Sequence, residues 1–295
     1  MKKTVFTGGG VAVVTPMNED FSVNFEKLDE LVEFHVENGT DAIVACGTTG
    51  ESSTLSHEEH LAVIGRVIKK AAGRVPVIAG TGSNDTAYAI ELSREAENLG
   101  ADALLLVTPY YNKTSQQGLI KHYTMIADSV TIPNILYSVA SRTGMQILPA
   151  TCKALAGHPN IVAIKEASEN IDQVAQIAAL CGDDLAIYSG CDALNLPILA
   201  LGAKGVISVL ANILPRETRD MCALWFEGKV AESRAIQLKY IGLIKDLFAD
   251  VNPVPVKAAM NKMGMAVGPC KMPLDEITPE ADARLTATLK KHGLI

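Results

Sequence analysis

The sequence predicts an α/β fold, a (β/α)8 barrel followed by a C-terminal helical domain, and three observations lead there. Eight short apolar runs, rich in Val, Ile, Leu and Ala, recur along the first part of the 295-residue chain. Amphipathic segments of helix length separate them one by one, which is the pattern of parallel strands joined by right-handed crossovers. After Leu214-Pro215 the strand signal stops and only helical periodicity continues. A barrel of this kind takes about 250 residues, so the length leaves room for an appendage. A doubly wound open sheet is the alternative.

The strands read as residues 11–15, 42–47, 76–80, 103–108, 134–139, 161–166, 185–189 and 205–209. The helices between them read as 25–38, 57–72, 86–99, 115–128, 149–156, 171–181 and 193–201. Residues 216–227 supply the barrel's eighth helix, and 231–248, 255–263 and 279–292 form the tail, punctuated by Pro253, Pro255 and Pro269. This divides the chain into a (β/α)8 barrel, 1–228, where any catalytic site would be sought, and a helical domain, 229–295. Neither a low-complexity tract nor a long linker interrupts it, so the tail is expected to pack on the barrel.

Hydrophobic residues make up 48% of the chain and charged residues 20%, which fits a fully globular protein. The net charge of -7 excludes a general nucleic-acid or anionic-membrane surface, so an anionic substrate must meet local positive groups. The six cysteines are scattered without a CxxC pair and read as buried residues of a reducing cytoplasm. The lysines at the N-terminus meet Gly8-Gly9-Gly10 before an apolar core develops, so no signal peptide is expected. No apolar run is long enough to span a bilayer.

Working groups of such a barrel lie at the C-terminal ends of its strands. The sixth strand ends Ile164-Lys165-Glu166, a lysine closing an apolar run. Period-2 alternation places it on one face with Ile161 and Ala163. Desolvation there disfavours an ammonium, lowering such a pKa from about 10.4 towards roughly 7–8 and leaving free amine to attack a carbonyl. The plainer reading is a lysine marking where a buried strand meets water. Strand two ends in Gly47-Thr-Thr-Gly-Glu51, whose hydroxyls and backbone N–H groups suit a carboxylate, or merely cap the next helix. Strand five carries Tyr137, cofacial with Ile135 and Val139, and Arg142 follows in a loop. A phenol in a lumen needs a hydrogen-bonding partner, and a guanidinium holds a carboxylate bidentately. Alone, each is as well explained by structure; together at strand ends they favour a site.

Gly47-Thr-Thr-Gly-Glu51, Tyr110-Tyr-Asn112, Tyr137, Ser141-Arg-Thr-Gly144, Ile164-Lys-Glu166, Gly205-Val-Ile-Ser208 and Asn252-Pro-Val-Pro-Val-Lys257 stand in this order over nearly the whole chain. Together they resemble the dihydrodipicolinate synthase branch of the class I pyruvate aldolases, which also holds N-acetylneuraminate lyase. The resemblance implies a cytoplasmic homotetramer, a dimer of dimers, that condenses pyruvate with L-aspartate 4-semialdehyde in lysine biosynthesis by the diaminopimelate pathway. It implies no cofactor beyond a covalent pyruvate imine on Lys165. Tyr137 would relay protons through Thr49 to Tyr111, the last reaching in from a neighbouring subunit. Thr48 and Thr49 would hold the pyruvate carboxylate, Arg142 the carboxylate of the semialdehyde, and Gly190 and Ile207 would line the ketoacid pocket. A sialic-acid lyase, a 2-keto-3-deoxy sugar-acid aldolase, or a non-catalytic ketoacid-binding barrel are the alternatives.

The chain departs from that pattern at Ser138, Ala140, Thr114 and Cys191, the first two bearing on how firmly Arg142 is held. Ser52, Ser53, His57, His60, Asn84 and Tyr110 match the lysine-binding positions of feedback-inhibited relatives, but Tyr88 stands where those carry a glutamate. Weak or absent lysine inhibition follows from the resemblance. His57-Glu-Glu-His60 is one residue short of a zinc-protease motif, and no group has metal-ligand spacing, so no metal is expected.

Overall fold

A computed structural model describes residue 2 and residues 4–295; Met1 and Lys3, part of the segment read for a leader, lie outside the described residues. Eight parallel strands close on themselves in chain order. They are β1 (Gly8–Ala12), β2 (Ala42–Ala45), β3 (Val77–Gly80), β4 (Ala103–Val107), β5 (Asn134–Ser138), β6 (Ile161–Glu166), β7 (Ala186–Ser189) and β8 (Gly205–Ser208). Around them run α1 (Phe25–Glu37), α2 (His57–Ala71), α3 (Thr86–Asn98), α4 (Gln116–Asp128), α5 (Ala140–Thr143), α6 (Pro149–Leu155), α7 (Ile171–Cys181), α8 (Asn195–Ala200) and α9 (Pro215–Phe226). The open-sheet alternative is thereby set aside.

Helix starts follow local chemistry. Asn24, Asp85, Ser115 and Asn170 cap α1, α3, α4 and α7 through their side chains, and Ser56 with Glu59 forms a capping box on α2. Strands are buried on both faces. Val11, Ile43, Leu104, Leu136, Ile164 and Val206 face outward onto the helices, while Ala12, Val44, Leu105, Ile135, Tyr137, Ala163 and Ile207 fill the interior. Phe6 plugs the N-terminal end, stacked on Tyr188 with ring centroids 4.4 Å apart.

Three details differ from expectation. β1 begins at Gly8 and ends at Ala12, earlier than the apolar run 11–15 suggested, because glycine has little strand propensity and hides the signal. The seam requires glycine: a Cβ on Gly10 would lie 2.9 Å from the Phe6 ring, and one on Gly9 3.1 Å from the Arg219 backbone. A bulge lets Asn134 face Ile161 and Ile135 face Ala163, so Val162 is the extra residue. Ile161 therefore joins the outer core while Ala163 stays inside, and only Ala163 shares the face of Lys165 as predicted. Finally, the loop expected to carry Arg142 is the helical turn α5, closed by Gly144 in the left-handed region (φ 64°).

Past α9, α10 (Val230–Leu247), α11 (Val254–Lys262) and α12 (Pro279–Lys291) build a second core with the barrel. Tyr240, Leu243, Leu247, Met260 and Leu285 pack with Val14, Val209, Leu210 and Ile213, residues that leave the ends of β1 and β8. The tail is thus seated on the rim where chemistry is expected. A buried ion pair fastens it: Lys257 Nζ lies 2.8 Å from Glu51 Oε1 and donates to the Thr15 carbonyl, at 3.0 Å, and to that of Pro269.

Candidate active site

The bulge in β6 brings Lys165 into register with Tyr137 on one side and Tyr188 on the other. Lys165 is 6% exposed, and its Nζ stands 4.4 Å from the centroid of the Tyr137 ring. It takes no part in the ion pairs of the described residues. Gly190 makes room for its stem, since a Cβ there would lie 2.8 Å from Lys165 Cε. Ile207 is buried in the same interior cluster.

The two phenols beside the lysine differ in what they are bound to. Tyr188 Oη donates to the Phe6 carbonyl at 2.7 Å and accepts from the Phe6 N–H at 3.2 Å, and burial pushes its pKa up to about 12. It closes the floor. The hydroxyl of Tyr123 is likewise bound to a backbone carbonyl, whereas that of Tyr137 has no protein partner among the described residues. Tyr137 is the phenol left for chemistry.

Thr48 and Thr49 lie in the turn after β2. Its own closure uses the N–H groups of Gly50, to Gly47 O, and of Glu51, to Thr48 O, at 3.0 and 3.1 Å, while those of Thr48 and Thr49 have no backbone partner among the described residues. Two unused donors beside two hydroxyls suit a small carboxylate. Glu51 holds a left-handed conformation (φ 58°), and its buried carboxylate accepts from Lys257. Thr49 Oγ1 accepts from Asn252 Nδ2 at 3.0 Å.

Arg142 is exposed on α5, and its Nη2 donates to the Asn252 carbonyl at 3.2 Å. The departures Ser138 and Ala140 do not leave this turn loose. Ser138 Oγ accepts from Ile147 N at 3.2 Å, and Thr143 Oγ1 accepts from Thr108 Oγ1 at 2.8 Å while donating to Met145 O at 2.9 Å. Tyr111 is not brought to the lumen of its own chain: it is 93% exposed at φ 69°.

Of the residues matched to lysine binding, Ser52, Ser53, His60, Tyr88 and Tyr110 line one cavity of ≈ 340 Å³ together with Thr48 and Arg142. His57 and Asn84 do not line it. His57 Nε2 is 3.1 Å from Glu95 and its Nδ1 3.4 Å from the Tyr88 hydroxyl, while Asn84 donates to Tyr110 O at 3.1 Å. His60 is bonded to the Gly80 carbonyl at 2.8 Å, and burial lowers its pKa. A larger cavity, ≈ 1010 Å³, lies between residues 17–24 and the tail and contains none of the predicted site residues.

Metal-type ligand atoms do converge once among the described residues, where His57, Glu91 and Glu95 come within 4.8 Å of one another on α2 and α3. The sequence hid this because the trio spans two helices. Asn252, Tyr188 and the Glu51–Lys257 pair were also missed. Glu51 and the segment Asn252-Pro-Val-Pro-Val-Lys257 stood among the motifs of the resemblance, but nothing in the sequence gave them these contacts.

The model of the dihydrodipicolinate synthetase family matches residues 5–292. A 4-hydroxy-tetrahydrodipicolinate synthase of Acetivibrio thermocellus is 55% identical over 295 residues, covering 100% of each chain. The crystal structure of the chloride-inhibited dihydrodipicolinate synthase from Acinetobacter baumannii complexed with pyruvate is similar at TM-score 0.96 and 44% identity, over 99% of this chain and 100% of that one. The structure of the Cyanidioschyzon merolae enzyme with lysine bound is similar at TM-score 0.96 and 40% identity, over 99% and 100%.

Proposed function

The chain belongs to the dihydrodipicolinate synthetase family, and from that premise we propose that the Lys165 amine carries its reaction as a Schiff base. The reaction is the one 4-hydroxy-tetrahydrodipicolinate synthases perform, a lyase-class condensation of pyruvate with L-aspartate 4-semialdehyde in lysine biosynthesis by the diaminopimelate pathway. The observation that carries the site assignment is the enclosed amine 4.4 Å from the ring of a phenol whose hydroxyl is unbound.

Each step then has a residue. The amine adds to the pyruvate carbonyl and water departs, leaving an iminium on Lys165. Thr48 and Thr49 hold the carboxylate with their free N–H groups and hydroxyls, which keeps the methyl group fixed for deprotonation. Loss of that proton gives an enamine, whose carbon attacks the semialdehyde's aldehyde. Tyr137 passes protons to the leaving water and the new alkoxide without bringing a charge into the lumen. The semialdehyde's amino group then attacks the iminium carbon, closing the ring and releasing Lys165. Arg142 holds the second carboxylate at the rim, a charge-assisted contact that a neutral sugar cannot make.

Residues 1–228 act here as the catalytic barrel and 229–295 as the helical part seated on its mouth. Tyr111, exposed and without a role in its own chain, is assigned to a neighbouring subunit's relay in a dimer of dimers; a monomeric mass on sedimentation at assay concentration would refute this. Six free cysteines accord with a cytoplasmic setting, and no helix among the described residues is long and apolar enough to cross a membrane. No step requires a metal or organic cofactor, so turnover is expected to survive a chelator.

A product assay with pyruvate tests the reading. Aspartate semialdehyde should be consumed, sialic acid should not be cleaved, and Lys165→Ala should lose at least about a thousandfold in kcat. Sialic-acid cleavage, or turnover by the alanine variant, contradicts it. In the same assay millimolar lysine should inhibit weakly, since Tyr88 supplies no carboxylate and draws His57 away. Strong inhibition at micromolar lysine would show that the cavity binds it regardless.

A further inference from the structure

We propose that Asn252 is a positioning residue of the proton relay: its amide sets the direction in which Thr49 presents its hydroxyl hydrogen, and its main chain seats Arg142. The inference rests on the site assignment above and deepens it. Asn252 lies between α10 and α11, 203 residues from Thr49 along the chain, and is 5% exposed. Nothing in the periodicity of the tail points to it.

A threonine hydroxyl has one hydrogen to give and two lone pairs to receive with. Because Asn252 Nδ2 donates to Thr49 Oγ1 at 3.0 Å, one lone pair is occupied by a donor that cannot take a proton in return. The hydroxyl hydrogen must then turn away from the amide. Among the described residues Thr49 Oγ1 has no acceptor of its own, so its hydrogen stays available to substrate or to a phenol of the relay. The other amide atom, Asn252 Oδ1, is buried without a partner among the described residues, a costly state for a polar atom unless something else in the site bonds to it. The carbonyl of the same residue receives Arg142 Nη2 at 3.2 Å. One tail residue thus touches the pyruvate end and the rim end of the site. Lys257, five residues on, anchors the segment through Glu51.

Asn252→Asp tests this, because it keeps the shape and the main-chain carbonyl but replaces the donor by an acceptor. The carboxylate would pull the Thr49 hydrogen towards itself. The expected result at pH 8 is a kcat about 10- to 100-fold lower, with KM for the semialdehyde within about threefold of the unaltered value. Activity should recover towards acid pH as the carboxyl regains a proton to donate. Asn252→Ala should lie between the two, since it removes the donor without adding an acceptor. In a Thr49→Val background neither change should cost anything further, and this cycle still decides the matter through Asn252→Ala if the aspartate variant does not fold.

An unchanged kcat and pH profile in Asn252→Asp overturns the inference. So does a loss of equal size with and without Thr49, which is the mark of a purely structural role. Borohydride trapping with pyruvate separates the levels: an adduct on Lys165 with unaffected Asn252→Asp turnover defeats this inference alone, and no adduct in the unaltered protein defeats it together with the site assignment.

Discussion

Tyr137 and Tyr188 occupy equivalent places on either side of Lys165, and hydrogen bonding separates their work. Tyr188 spends its hydroxyl on both backbone groups of Phe6, so Tyr188→Phe strands those groups in a buried place. It should lower unfolding free energy by roughly 1–3 kcal/mol and leave kcat within a few-fold. Tyr137→Phe should do the reverse, with stability held and kcat lower by roughly a hundredfold or more, the usual worth of a proton-transfer group. Denaturant titration and steady-state kinetics on both variants check this, and a Tyr188→Phe protein with the greater kinetic loss would reassign the relay. Lys165 and Tyr137 were legible as strand residues, paired across β5 and β6, because each stands at the end of an apolar run. It was silent on Tyr188, which reads as one more strand residue.

Between elements, the turn after β2 and the helix α11 are held by Glu51 and Lys257, a pair with side chains 0% and 2% exposed. Removing one partner of such a pair leaves a buried charge, typically at a cost of roughly 3–5 kcal/mol. Glu51→Gln should therefore unfold at markedly lower denaturant concentration. Pairing it with Lys257→Met should restore part of the loss, because no lone charge then remains. Equal midpoints for Glu51→Gln and the unaltered protein would mean that the turn is held by its backbone bonds alone. Such long-range links leave no trace in periodicity: Glu51 read as part of an anion-binding turn and Lys257 as a helix residue. The bulge in β6 was invisible for a related reason, since it is a property of the pairing with β5. α5 was too short for any helical period to register.

For the molecule as a whole, the eight-strand pattern was legible because each strand contains or adjoins a short apolar run, and the tail was legible as helix because no such run follows Leu214. How the barrel and tail meet had to come from the fold. Acid sensitivity is another property of the whole. His35 is fully buried in α1, bonded through Nδ1 to Thr40 Oγ1 at 3.2 Å, and burial lowers its pKa from 6.5 to about 3. An unfolded chain takes up the proton below about pH 6.5 and the folded one does not until about 3. His35 thus contributes stability above pH 6.5 that is lost as pH falls through that window. His60 and His122, also lowered by burial, act in the same direction. Tm should fall from pH 6.5 to 4, and His35→Leu should flatten the slope; an unchanged slope would place the acid sensitivity elsewhere.

All of this depends on one amine. Mass mapping of peptides after incubation with pyruvate and borohydride examines it directly. A single reduced pyruvate adduct is expected, on the peptide containing Lys165, and none in Lys165→Ala. An adduct on another lysine, or full turnover with none formed, would contradict it.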